Sequence, residues 1–114
     1  MTSGNLTLGI DLGTQSTKVL VYDADERVTL SVTSAPHEIV QRADGTSEQE
    51  PSAWIEALES CLIATDPALR KRIKAIGVSG QQHGLVPVDD GGVPTYRAKL
   101  WNDLDICNQG VSTV

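Results

Sequence analysis

Apolar and polar residues alternate from the start of the chain. Leu6, Leu8 and Ile10 take turns with Thr7 and Gly9, the two-residue period of a strand with one buried face. Val19-Leu20-Val21-Tyr22 is a continuous apolar run and predicts a more deeply buried strand. After the polar turn Asp23-Ala24-Asp25-Glu26, the residues Val28, Leu30 and Val32 alternate with Thr29 and Ser31, which predicts a third strand. The short connections imply an antiparallel meander.

The next stretch, Ala35 to Asp44, has no clear period; Ile39-Val40 fits either a strand or a loop packed on the core, and Asp44-Gly45 signals a turn. Pro51 suits the first turn of a helix, where its missing N–H costs little. Trp54, Leu58, Cys61, Leu62 and Thr65 then share one helical face, Ile55 widens it, and Glu56, Glu59 and Ser60 lie off it. The helix is expected to stop before Asp66-Pro67, because proline disfavours helical backbone at the residue before it. Ala68 to Lys74 adds a basic helical turn. Ile73, Ala75, Ile76 and Val78 predict a strand ending at Ser79-Gly80. Leu85 to Val88 predicts a short strand, Asp89-Asp90-Gly91-Gly92 a turn, and Val93 to Tyr96 the returning partner. The order predicts an α/β unit with a mixed sheet and no linker dividing it.

At 114 residues the chain suffices for one small domain with its own core. Its 39% hydrophobic and 21% charged residues place it among ordinary globular chains rather than disordered ones. The formal net charge of −6 argues against a nucleic-acid groove or an anionic membrane surface as partner. It does not argue against a nucleotide, since backbone amides and a metal do the local work there. No apolar run approaches the roughly 20 residues of a membrane span, and the first five residues carry no leader pattern. Cys61 and Cys107 are too few and too far apart for a disulfide framework or a zinc site. Reduced thiols in a cytoplasmic protein account for them.

Three segments carry candidate chemistry. In Leu8-Gly9-Ile10-Asp11-Leu12-Gly13-Thr14-Gln15-Ser16-Thr17-Lys18 a strand gives way to a Gly/Thr/Ser turn and resumes as a strand. Such a turn offers N–H groups and small hydroxyls to a phosphate, and Asp11 stands where it can hold a metal ion. Neither G-x-x-x-x-G-K-[ST] nor a G-x-G-x-x-G after a strand occurs, so a phosphate loop here is of another kind. The second segment, Gly80-Gln81-Gln82-His83-Gly84, follows a predicted strand, where ligands gather in open α/β sheets. Gln81, Gln82 and His83 could hydrogen-bond sugar hydroxyls. The third is Leu100-Trp101-Asn102-Asp103, in which an indole face suits the C–H face of a sugar and the polar pair suits its hydroxyls. Taken singly, the three also fit an ordinary hairpin, a polar loop and a core Trp beside a turn. Lys18 reads best as a solvated side chain.

The order and wording of these motifs resemble the amino-terminal part of the FGGY carbohydrate kinases, within the superfamily of sugar kinases, Hsp70 and actin. Ser47-Glu48-Gln49-Glu50-Pro51 before the Trp-containing helix and Lys74-Ala75-Ile76-Gly77-Val78-Ser79-Gly80-Gln81 extend the likeness, which runs from about Leu6 to Asp103. Within the family it is strongest to the kinases that phosphorylate D-xylulose. The resemblance implies a ribonuclease-H-like (actin-like ATPase) fold and transfer of the ATP γ-phosphate to the 5-hydroxyl of a ketopentose, with ATP and Mg²⁺ as cofactors. It implies that Asp11 lies near the transferred phosphate and metal, and that Gly13, Thr14, Gln15 and Ser16 lie beside the nucleotide phosphates. Gln82 and His83 would bind the ketose, and Trp101, Asn102 and Asp103 would line its pocket. Glycerol kinases carry an Arg-Glu pair where this chain has Gln82-His83.

One departure stands out: the family usually has an Arg where this chain has Asp105, which puts the architecture of the pocket wall in question. The family's catalytic base, adenosine pocket and second lobe lie downstream of such a segment, so residues 1–114 correspond to the amino-terminal portion of the first lobe, with the second lobe absent from this chain. The chain is therefore expected to be inactive alone, and self-association is expected where sheet faces lack their covering helices. The other readings are a non-catalytic sugar-binding remnant, a kinase for glycerol, gluconate or ribulose, and, least well matched, a chaperone-type or actin-like ATPase lobe.

Overall fold

The computed structural model describes residues 5–81 and 84–103. Three strands, β1 (Leu6–Leu12), β2 (Ser16–Asp23) and β3 (Val28–Pro36), form the antiparallel meander. Two short strands follow, β4 (Val40–Gln41) and β5 (Ser47–Gln49), then helix α1 (Pro51–Ala64) and the single turn α2 (Pro67–Arg70). Strand β6 (Ile73–Gly80) pairs parallel with β1, and β7 (Ala98–Lys99) comes last. The main sheet has the order β3-β2-β1-β6 and the small sheet β4-β5-β7. The mixed α/β architecture predicted from the periodicity is thus the one observed.

The period-2 pattern of β1 and β2 sets the core. Leu8 lies opposite Val21 and Ile10 opposite Val19, so one face of the hairpin is apolar. Leu6, Leu8, Val19 and Val21 are buried with Cys61 of α1, and Leu58, Leu62, Leu69 and Ile73 pack around them. Each such side chain contributes about 1.5–3 kcal/mol when fully removed from water. The helix ends where Pro67 requires. Thr65 N–H and Oγ1 both return to Cys61 O, at 3.1 and 2.8 Å, and Thr33 Oγ1 of β3 donates to the same carbonyl at 3.1 Å. The Asp66 side chain then caps α2 by accepting from Ala68 N–H.

Two local expectations are corrected. Ile55 does not widen the buried stripe of α1: it is exposed, and Ala57, on the other side of the Cys61 face, is buried instead. Leu85 to Val88 is not a strand but two isolated bridges, Leu85 with Lys99 and Val88 with Pro94. Pro87 and Pro94 lack the N–H groups a longer ladder would need. The Asp89 turn forms as predicted, its carboxylate accepting from Gly91 and Val93 N–H at 2.9 Å.

α1 lies mainly over β2 and β3. Ile76 and Val78 of β6, register partners of Leu8 and Ile10, therefore stay exposed. On the opposite face Leu20 and Val32 are also open to solvent, so the apolar run of residues 19–22 is buried at alternate residues and not, as expected of it, throughout.

Candidate functional site

The β1–β2 hairpin closes through Gly13-Thr14-Gln15, with Gly13 N–H donating to Ser16 O at 3.0 Å. A Cβ on Gly13 would come within 3.0 Å of that same carbonyl, so glycine is what lets the turn close. The outer face of the sheet beside the turn is polar. Asp11 lies directly across from Lys18 of β2 and beside Ser79 of β6. Gly9 and Gly77 sit in the next row with Leu20 and Val32, and together these residues line an open depression of about 480 Å³. Lys18 is thus exposed, as its sequence context implied, yet on the same face as Asp11.

Asp11 is exposed and has no ion-pair partner among the described residues. Those residues also contain no group of three His, Cys, Asp or Glu able to cage a metal. One accessible carboxylate beside a turn of small residues fits the needs of Mg²⁺, which takes one or two carboxylates and fills its remaining positions with other oxygens and water.

The turn is held from its inner side by Gln49, the last residue of β5, which is fully buried. Gln49 Nε2 donates to Thr14 O at 2.6 Å and lies 2.9 Å from His37 Nδ1. Gln49 Oε1 accepts from Trp54 Nε1 at 2.8 Å and from Gln81 Nε2 at 3.2 Å. All four hydrogen-bonding positions of the amide are used. An indole N–H can only donate, which fixes the orientation of the amide and makes His37 Nδ1 an acceptor. Burial pulls the His37 imidazole below its ordinary pKa, in keeping with that neutral form. Gln81 Nε2 also donates to Gly13 O at 3.2 Å. Gln81 therefore braces the turn, whereas its sequence position had suggested contact with a sugar.

The third motif hangs from the other end of β5. Leu100 N–H donates to Ser47 O at 2.9 Å, and Asp103 Oδ2 accepts from Ser47 N–H at 2.8 Å. Asp103 is almost fully buried, Trp101 is half exposed, and Asn102 Oδ1 is buried with no hydrogen-bond partner among the described residues. Between the two ends, buried Glu48 binds Arg97 at 2.9 Å and Lys99 at 2.8 Å. The hydrogen bond from Lys99, aided by Arg97, keeps the Glu48 carboxyl below its usual range against the opposing pull of burial. Gln82, His83 and Asp105 lie outside the described residues. On either side of the first two, Gln81 bonds the turn and Leu85 pairs with Lys99 of β7.

Strand β5 thus joins all three motifs, although its residues drew notice only as a matching run before the helix. Ser47-Glu48-Gln49 has no apolar residue, and no periodicity marks it as buried.

Residues 6–109 match the profile of the FGGY family of carbohydrate kinases, N-terminal domain. A xylulose kinase from Haemophilus influenzae is 42% identical over 109 residues, covering 90% of this chain and 22% of the relative. Among solved structures, a xyloylose kinase from Brucella ovis superimposes with a TM-score of 0.79 at 33% identity, over 86% of this chain and 21% of that one. A glycerol kinase from Plasmodium falciparum with ADP superimposes with a TM-score of 0.78 at 26% identity, over 96% of this chain and 23% of that one. The chain therefore spans about a fifth of the length of these proteins.

Proposed function

The chain belongs to the FGGY family of carbohydrate kinases, and from that premise we propose that it supplies the phosphate turn and part of the sugar wall of an ATP-dependent ketopentose kinase acting on D-xylulose. The convergence of the three motifs on β5 carries this reading: one short strand connects the turn through Gln49, the Gly80-Gln81 corner through the same amide, and the Trp101–Asp103 segment through Ser47.

Phosphoryl transfer is mostly positioning and electrostatic stabilisation. In this reading the turn of Gly13, Thr14, Gln15 and Ser16 receives the nucleotide phosphates. Asp11 would hold Mg²⁺, whose charge would offset that of the transferring phosphoryl group. Gln82 and His83 take sugar hydroxyls. The half-exposed indole of Trp101 offers an apolar face wide enough for a five-carbon sugar, which favours a ketopentose over glycerol. Asp103 acts on the pocket through the backbone it pins rather than by its own carboxylate, which is buried against Ser47 N–H. Asp11 is the only carboxylate lining the depression among the described residues, and a metal-bound carboxylate makes a poor base.

The test is titration of the ¹⁵N-labelled chain with MgATP and, separately, with D-xylulose and glycerol. MgATP is expected to move the amides of residues 13–16, and D-xylulose those of residues 101–103, with glycerol weaker. A coupled ADP-release assay with MgATP and D-xylulose is expected to show no turnover by these 114 residues. Turn amides unmoved by MgATP would defeat the reading.

A further inference from the structure

The geometry points to Gln49 as a positioning residue for phosphate binding: its amide, with that of Gln81, orients the peptide planes of the turn so that their N–H groups face the incoming anion. The inference rests on the kinase reading above and adds the device that shapes its phosphate site.

In a trans peptide unit the C=O of one residue and the N–H of the next point in opposite directions, and no cis bond occurs among the described residues. Gln49 Nε2 draws the Thr14 carbonyl inward at 2.6 Å, so the Gln15 N–H is directed outward. Gln81 Nε2 draws the Gly13 carbonyl inward at 3.2 Å, so the Thr14 N–H is directed outward. Two successive N–H groups aimed the same way form a concavity suited to an anion. The Gln15 carbonyl, which would repel a phosphate if it turned outward, accepts from His37 N–H at 3.0 Å.

The device is specific to an amide. Gln49 must donate to a carbonyl while accepting from Trp54 and Gln81. A carboxylate cannot donate to Thr14 O, and an apolar side chain makes none of these bonds. Gln49 is also completely buried and so cannot itself touch a nucleotide; it acts through Thr14.

The test compares the wild-type chain with Gln49→Leu and Trp54→Phe by ¹H–¹⁵N spectroscopy, first without ligand and then with MgATP. Without ligand, Gln49→Leu should shift the amides of residues 13–16 while those of residues 6–10 and of α1 beyond Trp54 keep their wild-type positions. With MgATP, affinity read at the turn amides should fall roughly tenfold, the equivalent of one lost hydrogen bond to an anion. Trp54→Phe keeps a ring in place but removes one donor to Gln49 Oε1, and should weaken MgATP by about twofold. Unchanged turn amides, or moved turn amides with unchanged MgATP affinity, would overturn the assignment. Should Gln49→Leu fail to fold, Trp54→Phe decides by the same criteria. Wild-type turn amides indifferent to MgATP would instead defeat the kinase reading, while the ligand-free spectra still report whether Gln49 sets the turn.

Discussion

The interior beneath α1 is filled by Leu6, Leu8, Val19, Val21 and Cys61, whereas the interior around β5 is filled by Ser47, Glu48, Gln49 and Asp103, none of these four more than 2% exposed. Apolar packing is non-directional, and it accepts another side chain of similar volume with modest loss. A buried polar network is directional, and removing one member leaves its partners desolvated and unpaired. The two interiors therefore fail differently. The first sets the sheet; the second joins the turn, the Gln81 corner and the Trp101 segment, and is where a small change in geometry is felt by all three.

The largest expected effect is in the polar interior. Glu48→Ala removes the buried carboxylate shared by Arg97 and Lys99 and should cost about 3 kcal/mol in urea denaturation, at the low end for a broken buried pair because both cations keep part of their surface in water. Glu48→Gln, which retains hydrogen-bond acceptance, should cost less; equal costs would mean that charge contributes nothing there. A matched pair of substitutions sharpens the contrast. Leu8→Met should cost less than about 1.5 kcal/mol, while Gln49→Met, similar in shape, should cost about 2 kcal/mol or more by orphaning Thr14 O and the Trp54 and Gln81 donors. Equal midpoints for these two variants would erase the distinction.

The smallest effect is a dependence on pH. His37 has its pKa lowered by burial, so the unfolded chain binds its proton more readily than the folded one. Its contribution to stability is fully present above the ordinary value of 6.5, and declines as pH falls from there through the lower folded-state value. The apolar interior has no such group. Melting temperatures between pH 7.5 and 5 should fall for the wild-type chain and fall less for His37→Asn. An identical slope in the two would remove His37 as the cause.

The apolar interior was legible in part, because alternation and helical period mark the face that can be buried, although Val28, Leu30 and Val32 alternate in β3 and stay exposed. Leu6, Leu8 and Cys61 carry that signal, and Val19 and Val21 belong to a continuous apolar run. The end of α1 was legible too, where Pro67 acts locally. The polar interior was not legible, because Ser-Glu-Gln has the composition of a solvent-facing loop, and its burial depends on partners as distant in sequence as Thr14 and Asp103. Ile55 misled for a related reason: hydrophobicity marks what could be buried, while the position of the helix over β2 and β3 decides what is. Gln81 follows a strand that ends where predicted, but composition alone does not say whether an amide faces a ligand or the backbone behind it.

β1 is flanked on both edges, by β2 antiparallel and by β6 parallel, over nearly its whole length. A loop that springs from a doubly paired strand cannot travel without tearing two ladders at once, so it makes an anvil rather than a hammer. Any relative motion then falls to whatever approaches from the open side, and hydrogen exchange at Leu8 and Ile10 should stay slow whether or not such motion occurs.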